Sequence, residues 1–179
     1  TSWSLRVNPS SGNLHPTEAY VVVPDFSKLA QESNASNSND APIQVYHYMP
    51  KNHSLELRCS HDSGWNQLAS SFPKGSFFVS LTSIHWRESW KYGSRAFRYC
   101  LHDTGHAIAA LRMSCSLLGW TMQVLSQVPD ASISKLLGTA RKKEFHHDEL
   151  EDVECIAVVT PSLEHNDKPM DEKEVSNFI

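Results

Sequence analysis

The chain has 179 residues, of which 40% are apolar, and its formal net charge is −4. This length can bury one hydrophobic core, and we predict a single domain at residues 1–161 followed by a polar tail at residues 162–179. The basic residues are dispersed and no apolar run approaches the roughly 20 residues that cross a bilayer, so the composition argues against nucleic acids and membranes as partners.

The four cysteines lie far apart and form no CxxC pair, which disfavours a disulfide framework and a zinc ribbon. A reducing compartment fits this pattern, and we predict a cytoplasmic protein. The chain begins with Thr1 rather than methionine, shortly before motif-bearing sequence. We therefore expect a domain that lacks its N-terminal part, whose upstream segment could hold a targeting signal or part of a site.

Hydrophobic patterning and turn signals predict strands and helices in mixed order, without an internal repeat. The first predicted strand is "EAYVVVP", and a short helical turn and a polar surface loop at residues 32–42 follow it. Asp130 is expected to cap a later helix that Gly138 ends. The predicted strands cover residues 18–24, 43–50, 53–60, 75–84, 121–127 and 154–161, and the predicted helices lie within 62–72, 95–118 and 130–138.

The strongest helical segment covers residues 95–118, where apolar positions recur at steps of three, four or seven residues. We expect this apolar stripe to be deeply packed, and Gly119 to end the helix. Gly105 in the helix interior costs about 1 kcal/mol relative to alanine, so we expect it to allow close approach of another backbone or a ligand. The stripe consists of Phe97, Leu101, Ile108, Leu111 and Leu118.

The stretch "NPSSGNLHP" at residues 8–16 combines tight-turn residues with small side chains directly before the first predicted strand. Such a loop offers free backbone N–H groups, which suits a flat polar ligand that lies against it. A plain surface turn can have the same composition. The residues alone leave both interpretations open.

This stretch resembles the Pro-Ser-Ser-x-Asn-x-Gln-Pro signature of the nitroreductase-like FMN-dependent oxidoreductases, with His15 in place of the usual glutamine. The resemblance implies an α+β fold in which helices, one of them long and buried, flank a central mixed or antiparallel sheet. It also implies that the loop binds the isoalloxazine ring of FMN, with Asn13 at the pyrimidine edge. The implied contacts in this segment are Arg6, Pro9, Ser10, Ser11, Asn13 and His15.

A second match is "WKYGSRAFRYCLHDTGHAIAALRMSCSLLGW" at residues 90–120. It is similar to the SagB-type azoline dehydrogenases, in which a Lys-Tyr-Gly-x-Arg run precedes a long helix that contains Asp-x-Gly-His. The resemblance implies that Lys91 and Tyr92 remove a proton while the flavin accepts hydride, a task that a desolvated lysine can perform. The alternative is that the two residues cap the helix and pair with an acid.

Two arginines near a helix N-terminus require an anionic partner, because the helix dipole itself prefers anions there. We expect Arg95 to bind the FMN phosphate or a carboxylate of a second subunit, and Arg98 to form salt bridges within the fold. The segment "GWTMQVL" aligns with backbone that meets the flavin edge in relatives. This alignment implies that Gly119, Trp120 and Thr121 lie near the site.

His102 and His106 are four residues apart on the predicted helix and could share one face as metal ligands. The segment lacks the glutamate of a His-Glu-x-x-His protease motif, and a packing role is favoured. The run "EFHHDELED" at residues 144–152 is interpreted as a solvated charged loop. We predict no metal site, and a metal-dependent hydrolase that uses the two histidines is retained as an alternative function.

The resemblance as a whole implies an FMN-dependent oxidoreductase that transfers hydride between flavin N5 and a small organic or peptide-derived substrate. NAD(P)H or oxygen would serve as the co-substrate of the flavin, and the FMN site of the family implies a homodimer. The family usually binds the FMN phosphate with Arg and Ser of a helix upstream of the loop, and that helix is not in this sequence. A non-catalytic flavin-fold scaffold is therefore a further alternative.

Overall fold

A computed structural model describes residues 5–27 and 40–161 of the chain. The strands of this part are β1 (Thr17–Pro24), β2 (Ile43–Met49), β3 (Ser54–His61), β4 (Phe77–Ser83), β5 (Thr121–Val124) and β6 (Asp152–Thr160). They form one antiparallel sheet in the order β3-β2-β1-β4-β6-β5. The α-helices are α1 (Trp65–Leu68), α2 (Trp86–Tyr92), α3 (Ala96–Leu117) and α4 (Asp130–Leu137). The α+β architecture predicted from the sequence is confirmed, and the sheet is antiparallel rather than mixed.

The main hydrophobic core lies on the face of the sheet that α1 and α4 cover. Alternate residues of β1 are buried, as expected for strands whose side chains point to opposite faces. On β4, the ring of Phe78 meets Trp65 of α1 and Phe72 edge to face, with centroids 5.9 and 5.4 Å away. A smaller cluster that includes Val79 and Cys115 joins the opposite face to α3.

The long helix is present, but it is rotated relative to the predicted apolar stripe. Phe97 is 63% exposed, Leu101 47% and Leu118 61%, so the expectation that the stripe is deeply packed is wrong for these residues. The buried positions of α3 are instead Ala96, Cys100, Asp103, Thr104, Ala107 and Cys115. Small and polar side chains allow α3 to approach the rest of the fold closely, which leaves large apolar side chains at the surface.

No other part of the described chain approaches Gly105 closely, although the sequence suggested such an approach. It lies exposed on α3, and a Cβ atom added to it would meet no other atom within 4 Å. The expectation of a closely packed backbone at this glycine is therefore wrong for the part of the chain that the structure describes, and the expectation of a ligand there stays a prediction. Glycine lowers the stability of this helix relative to alanine. Among the described residues, no contact at Gly105 compensates for that loss.

Most of the other predicted elements are confirmed with small shifts. The hairpin of β2 and β3 is present, and Gly138 ends α4 with φ 76°. Asp130 is the first residue of α4 rather than its cap, which is Pro129. The sequence patterns did not predict the helix α2. The loop at residues 32–42 and the tail at residues 162–179 fall largely or wholly outside the described residues.

Among the described residues, no helix combines the length and the apolar character that a membrane span requires.

Replacing Gly105 with alanine tests whether the exposed face of α3 is free of contacts at this position. We expect Gly105→Ala to raise the free energy of unfolding by about 0.5–1 kcal/mol, because alanine loses less backbone entropy in a helix. Urea denaturation of both proteins measures the change. A loss of stability, or weaker binding of a ligand or second subunit, would contradict the open surface seen at this position.

Candidate functional site

The loop at residues 8–16 bends sharply before β1. It contains a short 3-10 turn at Ser11–Asn13, and Gly12, Asn13 and His15 have φ values of 61°, 58° and 50°. Positive φ is unfavourable for residues other than glycine, although asparagine and histidine tolerate it better than most. His15 Nε2 donates a hydrogen bond to Asn13 Oδ1 at 2.8 Å, so the two strained residues support each other.

The carboxylate of Asp103 connects this loop to α3. Ser10 Oγ donates to Asp103 Oδ2 at 2.6 Å, and Ser11 Oγ donates to Oδ1 at 3.2 Å. The backbone N–H of Ser11 is 3.1 Å from each oxygen. Asp103 is only 1% exposed, and a buried carboxylate requires such donors to be stable. The two predicted serines therefore direct their hydroxyl groups at the helix.

A second buried carboxylate, that of Glu18 on β1, is surrounded by cationic side chains beneath the loop. His47 Nε2 donates to Glu18 Oε2 at 2.9 Å, Arg87 Nη1 donates to Oε1, and Arg6 Nη2 lies 3.7 Å from Oε1. The carbonyl oxygen of His15 accepts hydrogen bonds from Arg87 Nη1 at 2.9 Å and Arg6 Nη1 at 3.1 Å. The predicted flavin contact Arg6 thus has its guanidinium group committed to this cluster.

The pKa shifts in the cluster follow from these contacts. Burial by itself raises the pKa of Glu18, but the hydrogen bond from His47 and the charges of Arg87 and Arg6 outweigh it and hold that pKa below its usual value. Burial lowers the pKa of His47, and the Glu18 carboxylate more than reverses this and raises it. At neutral pH the cluster therefore has an ionised Glu18 that neutralises part of the positive charge under the loop.

The second motif meets the first at Gly12. A Cβ atom added to Gly12 would collide with the hydroxyl of Tyr92 and would lie 2.7 Å from Lys91 Nζ. Lys91 Nζ also lies 5.3 Å from the centroid of the Tyr92 ring, which packs edge to face on Tyr99 of α3 at 4.6 Å. Residues 80 positions apart are thus in contact, although neither Lys91 nor Tyr92 forms a salt bridge among the described residues.

Glu88, one helical turn before Lys91, is fully buried in α2. Neither of its carboxyl oxygens has a hydrogen-bond partner among the described residues. Burial and the neighbouring charge of Asp103 raise the pKa of Glu88 to about 7, and the opposite charge of Lys91 reduces this shift. The sequence reasoning did not identify this carboxyl group.

Arg95 caps the start of α3 and is exposed, with no ion pair among the described residues, so it is accessible to an anion. Arg98 does not form the expected salt bridge within the described part of the chain. Its Nε donates to His102 Nε2 at 3.2 Å. This contact places a cation on one of the two ring nitrogens of His102, and no third ligand joins His102 and His106 in the described ranges.

The ligand atoms of His146, His147 and Asp148 lie within 4.8 Å of one another in the charged run that was interpreted as a solvated loop. Both histidines are exposed, as that interpretation expects.

Gly119, Trp120 and Thr121 lie at the other end of the sheet. Thr121 pairs with Thr160, which lies beside the start of β4. The loop instead leads into β1 at Thr17, and Thr17 pairs with Ser83 at the end of β4. At about 3.4 Å per residue these ends are about 20 Å apart. One chain therefore does not bring this predicted segment together with the loop and Lys91.

A cavity of about 710 Å³ opens beside the loop, between the chain before β1, the sheet and α3. Arg6, Asn8 and Thr17 contribute polar groups to its lining, and Ala107 and Ala110 of α3 contribute to its apolar wall. Its volume lies within the range of about 300–1,000 Å³ that is typical of small-molecule sites. Lys91 and Tyr92 are not among its lining residues.

Comparison with protein families matches residues 3–147 to the nitroreductase family. The chain belongs to the nitroreductase family. No curated protein matches it. The long helix, the antiparallel sheet and the loop described above are therefore those of a nitroreductase-type domain.

Solved structures support this fold. A chain of the E. coli microcin synthetase McbBCD complex with truncated pro-MccB17 bound is 18% identical, with a TM-score of 0.61 over 89% of this chain and 57% of that one. A protein of Anabaena variabilis assigned as a nitroreductase is 19% identical, with a TM-score of 0.62 over 97% and 36%. One of Ralstonia eutropha is 14% identical, with a TM-score of 0.59 over 89% and 64%. The chain thus spans between 36% and 64% of these relatives.

The residues at the loop are suitable for the FMN that nitroreductases generally use. Arg6 Nε, His15 Nδ1 and Thr17 Oγ1 are buried and have no hydrogen-bond partner among the described residues. Unpaired buried polar atoms are rare in folded proteins, and a ligand or water usually satisfies them. The edge of a flavin ring offers both donors and acceptors, so these atoms and the exposed Asn13 suit it chemically.

Sequence reasoning missed Asp103, Glu18 and Arg87, which hold the loop of this nitroreductase domain in place, and it missed the buried Glu88. A signal for Asp103 was present, because aspartate is a poor residue for a helix interior and indicates a polar partner. Arg87 and Glu88 lie in the helix that was not predicted. The partners of Arg87, Glu18 and Glu149, are more than 60 residues away in sequence, so no local pattern identifies it.

Replacing Gly12 tests the contact between the two motifs. We expect Gly12→Ala to displace Lys91 and Tyr92, because the new Cβ would occupy their space. The left-handed backbone adds a cost of about 1–2 kcal/mol. NMR signals of the Tyr92 ring and the free energy of unfolding measure the two effects.

Gly119→Ala is the matched control, because Gly119 also has a positive φ, 70°, but its added Cβ would meet no atom within 4 Å. It should lose similar stability and leave the Tyr92 signals unchanged. Unchanged Tyr92 signals in Gly12→Ala would contradict the contact.

Proposed function

We propose that this nitroreductase domain is an FMN-dependent oxidoreductase of the SagB type, which transfers hydride between flavin N5 and a small organic or peptide-derived substrate. The contact of Gly12 with Lys91 and Tyr92 carries the proposal, because it joins the ring-binding motif to the two residues assigned to proton transfer. Membership of the nitroreductase family supports the oxidoreductase class. The finer assignment rests on the "WKYG" motif and on the geometry around it.

In this proposal the loop holds the flavin ring. Asn13 binds the pyrimidine edge, the backbone at Ser10 and Ser11 packs against the ring, and Pro9 and His15 complete the contact. The bonds from Ser10 and Ser11 to Asp103 support this role, because they fix the loop before a ligand arrives. A site that is already ordered loses less conformational entropy on binding.

Lys91 and Tyr92 are the proposed catalytic residues. When bound, FMN supplies the hydride acceptor. Lys91 Nζ takes the proton that a substrate loses when its C–H bond is oxidised, and the Tyr92 hydroxyl orients the same group. The position of both side chains against Gly12 supports these roles, because it keeps them next to the ring-binding loop.

The substrate class is proposed from the similarity to the microcin synthetase complex, which has truncated pro-MccB17 bound. A peptide-derived azoline fits the Lys-Tyr pair, because its oxidation requires loss of a proton and a hydride from adjacent atoms. Oxygen is the proposed co-substrate that reoxidises the flavin after azoline oxidation, and NAD(P)H is the one that would reduce the flavin if the substrate were a nitro compound or a quinone. Nitro compounds and quinones are the competing substrates that an assay has to include.

We propose that the domain acts as a homodimer. Phe97 and Leu101 are exposed one turn apart on α3, and exposed large apolar side chains favour association. A dimer also explains why Gly119, Trp120 and Thr121 lie about 20 Å from the loop, since a second subunit can supply them to the site. Arg95 then contacts either the FMN phosphate or a carboxylate of the partner.

Two substitutions separate flavin binding from proton transfer. We expect Asn13→Ala to weaken FMN retention by roughly fivefold, because one neutral hydrogen bond is worth about 1 kcal/mol. Lys91→Ala should retain FMN and lower the rate of substrate oxidation by about 10²-fold or more. Flavin fluorescence titration and a stopped-flow assay of flavin reduction measure these effects.

Equal FMN content and equal turnover in both variants would remove these residues from the site. A purified protein that stays colourless after FMN is added would contradict the flavin proposal and favour the non-catalytic scaffold.

The proposed dimer predicts that Phe97→Lys or Leu101→Lys raises the dissociation constant by about tenfold or more, because a charge would replace an apolar contact at the interface. Analytical ultracentrifugation measures the change. Leu57→Lys is the control, since Leu57 is also exposed but lies on the edge strand β3. A monomeric wild-type protein, or equal effects of all three substitutions, would contradict this interface.

A further inference from the structure

Three potential metal ligands lie together in the turn that precedes β6. Nε2 of His147 is 3.0 Å from Oδ1 of Asp148, and Nδ1 of His146 is 3.9 Å from Oδ2 of the same carboxylate. The ligand atoms of these three side chains are all within 4.8 Å of one another. A tetrahedral zinc ion, with bonds of about 2.0–2.2 Å, holds its ligand atoms about 3.3–3.5 Å apart. Small rotations of the side chains are therefore sufficient to bring all three onto one ion.

The carboxylate of Asp148 has no permanent counterion in the part of the chain that the structure describes. Its ion partners there are the two histidines, which carry a positive charge only when they are protonated. The next carboxylate in the chain, that of Glu149, is instead paired with the guanidinium group of Arg87 at 2.6 Å. A divalent cation would supply the charge that Asp148 lacks, and neutral imidazole and carboxylate groups are suitable ligands for such an ion.

The turn is anchored on both sides of the three ligands. Before them, the guanidinium group of Arg58 lies over the Phe145 ring, 4.7 Å from its centroid. After them, the bond from Arg87 fixes Glu149 to α2, and the backbone N–H of Glu149 donates to the carbonyl oxygen of His146 at 2.9 Å. Because ordering a flexible segment costs conformational entropy, ligands on an anchored turn bind an ion more tightly than the same residues on a free loop.

The ring nitrogen of His146 that would bind the ion already faces the other ligands. The backbone N–H of Asp148 donates to His146 Nδ1 at 3.4 Å, so the lone pair of this nitrogen points into the turn. A hydrogen bond of this length is weak, and a metal ion can replace it at small cost. The rings of His146 and His147 are adjacent, with centroids 4.4 Å apart. Both imidazoles therefore reach the space beside the Asp148 carboxylate.

We propose that His146, His147 and Asp148 form a binding site for a divalent transition-metal ion, with Zn²⁺ as the ion that its ligand set fits. Two imidazoles favour zinc, nickel or copper over magnesium or calcium, which prefer oxygen ligands. Three protein ligands leave the fourth position of a tetrahedral ion to water. The exposure of the histidines, which a solvated loop also explains, gives the ion access to the site. This site is separate from the pair His102 and His106.

Isothermal titration calorimetry with Zn²⁺, on protein without a histidine tag, measures the affinity of the site. We expect one equivalent of Zn²⁺ to bind most tightly, and His147→Ala and Asp148→Asn each to weaken that binding by tenfold or more. The loss of a mere hydrogen-bond partner of a ligand already costs about 10- to 100-fold in metal affinity. His106→Ala is the matched control, because His106 is also an exposed histidine but lies on α3, outside the cluster.

The geometry also predicts which nitrogen of each ring binds the ion. In ¹⁵N NMR spectra of the histidine rings, Zn²⁺ should shift Nδ1 of His146 and Nε2 of His147 more than any other ring nitrogen. With Zn²⁺ at about 100 times its Kd, the Tm of the wild-type protein should rise by roughly 5–10 °C. The Tm of His147→Ala should not rise, and in EDTA the two proteins should unfold at the same temperature.

Three results would overturn the proposal. One is a wild-type protein that binds no equivalent of Zn²⁺ more tightly than His147→Ala does. Another is equal weakening by His106→Ala and the substitutions in the cluster, which would mean adventitious binding to surface histidines. The third is a Zn²⁺-dependent shift that leaves the rings of His146 and His147 unchanged. None of these measurements depends on flavin or on turnover, so they decide the metal site whether or not the proposed oxidoreductase activity is found.

Discussion

The bond between Asp103 and the loop at residues 8–16 is the interaction on which the candidate site depends. It connects a segment before the first strand to the middle of the long helix, more than 90 residues later. Because the carboxylate is almost wholly buried, its charge requires the hydrogen bonds of Ser10 and Ser11. The same requirement sets the rotation of α3, since the face that carries Asp103 must turn inward and Phe97 and Leu101 then remain outside.

A second constraint is electrostatic and lies under the loop. Glu18 attracts two arginines and a histidine, and both guanidinium groups bind the His15 carbonyl. This cluster stabilises positive φ at a residue other than glycine, a conformation that the chain alone would disfavour. Glu18 and Asp103 thus fix the loop from two sides, whereas the carboxyl group of Glu88 has no hydrogen-bond partner among the described residues.

The separation of the predicted contacts has a simple geometric origin. Residues 119–121 follow the long helix and pair at the far end of the sheet, because α3 runs along the sheet and delivers the chain there. The loop and α2 meet at the near end, where β1 begins and β4 ends. A ligand that contacts both groups must therefore bind between two subunits or extend over about 20 Å within one subunit.

The sequence by itself predicted a mixture of α and β elements and the order of nearly all strands and helices, because hydrophobic periodicity and turn residues are local signals. It also predicted Lys91, Tyr92 and the loop as parts of one site through resemblance to a family. The tertiary structure alone decided which face of α3 is buried, that Gly105 is open, and that Asp103, Glu18 and Arg87 position the loop. These features depend on charges brought together from distant parts of the chain, and their burial cannot be inferred from local sequence.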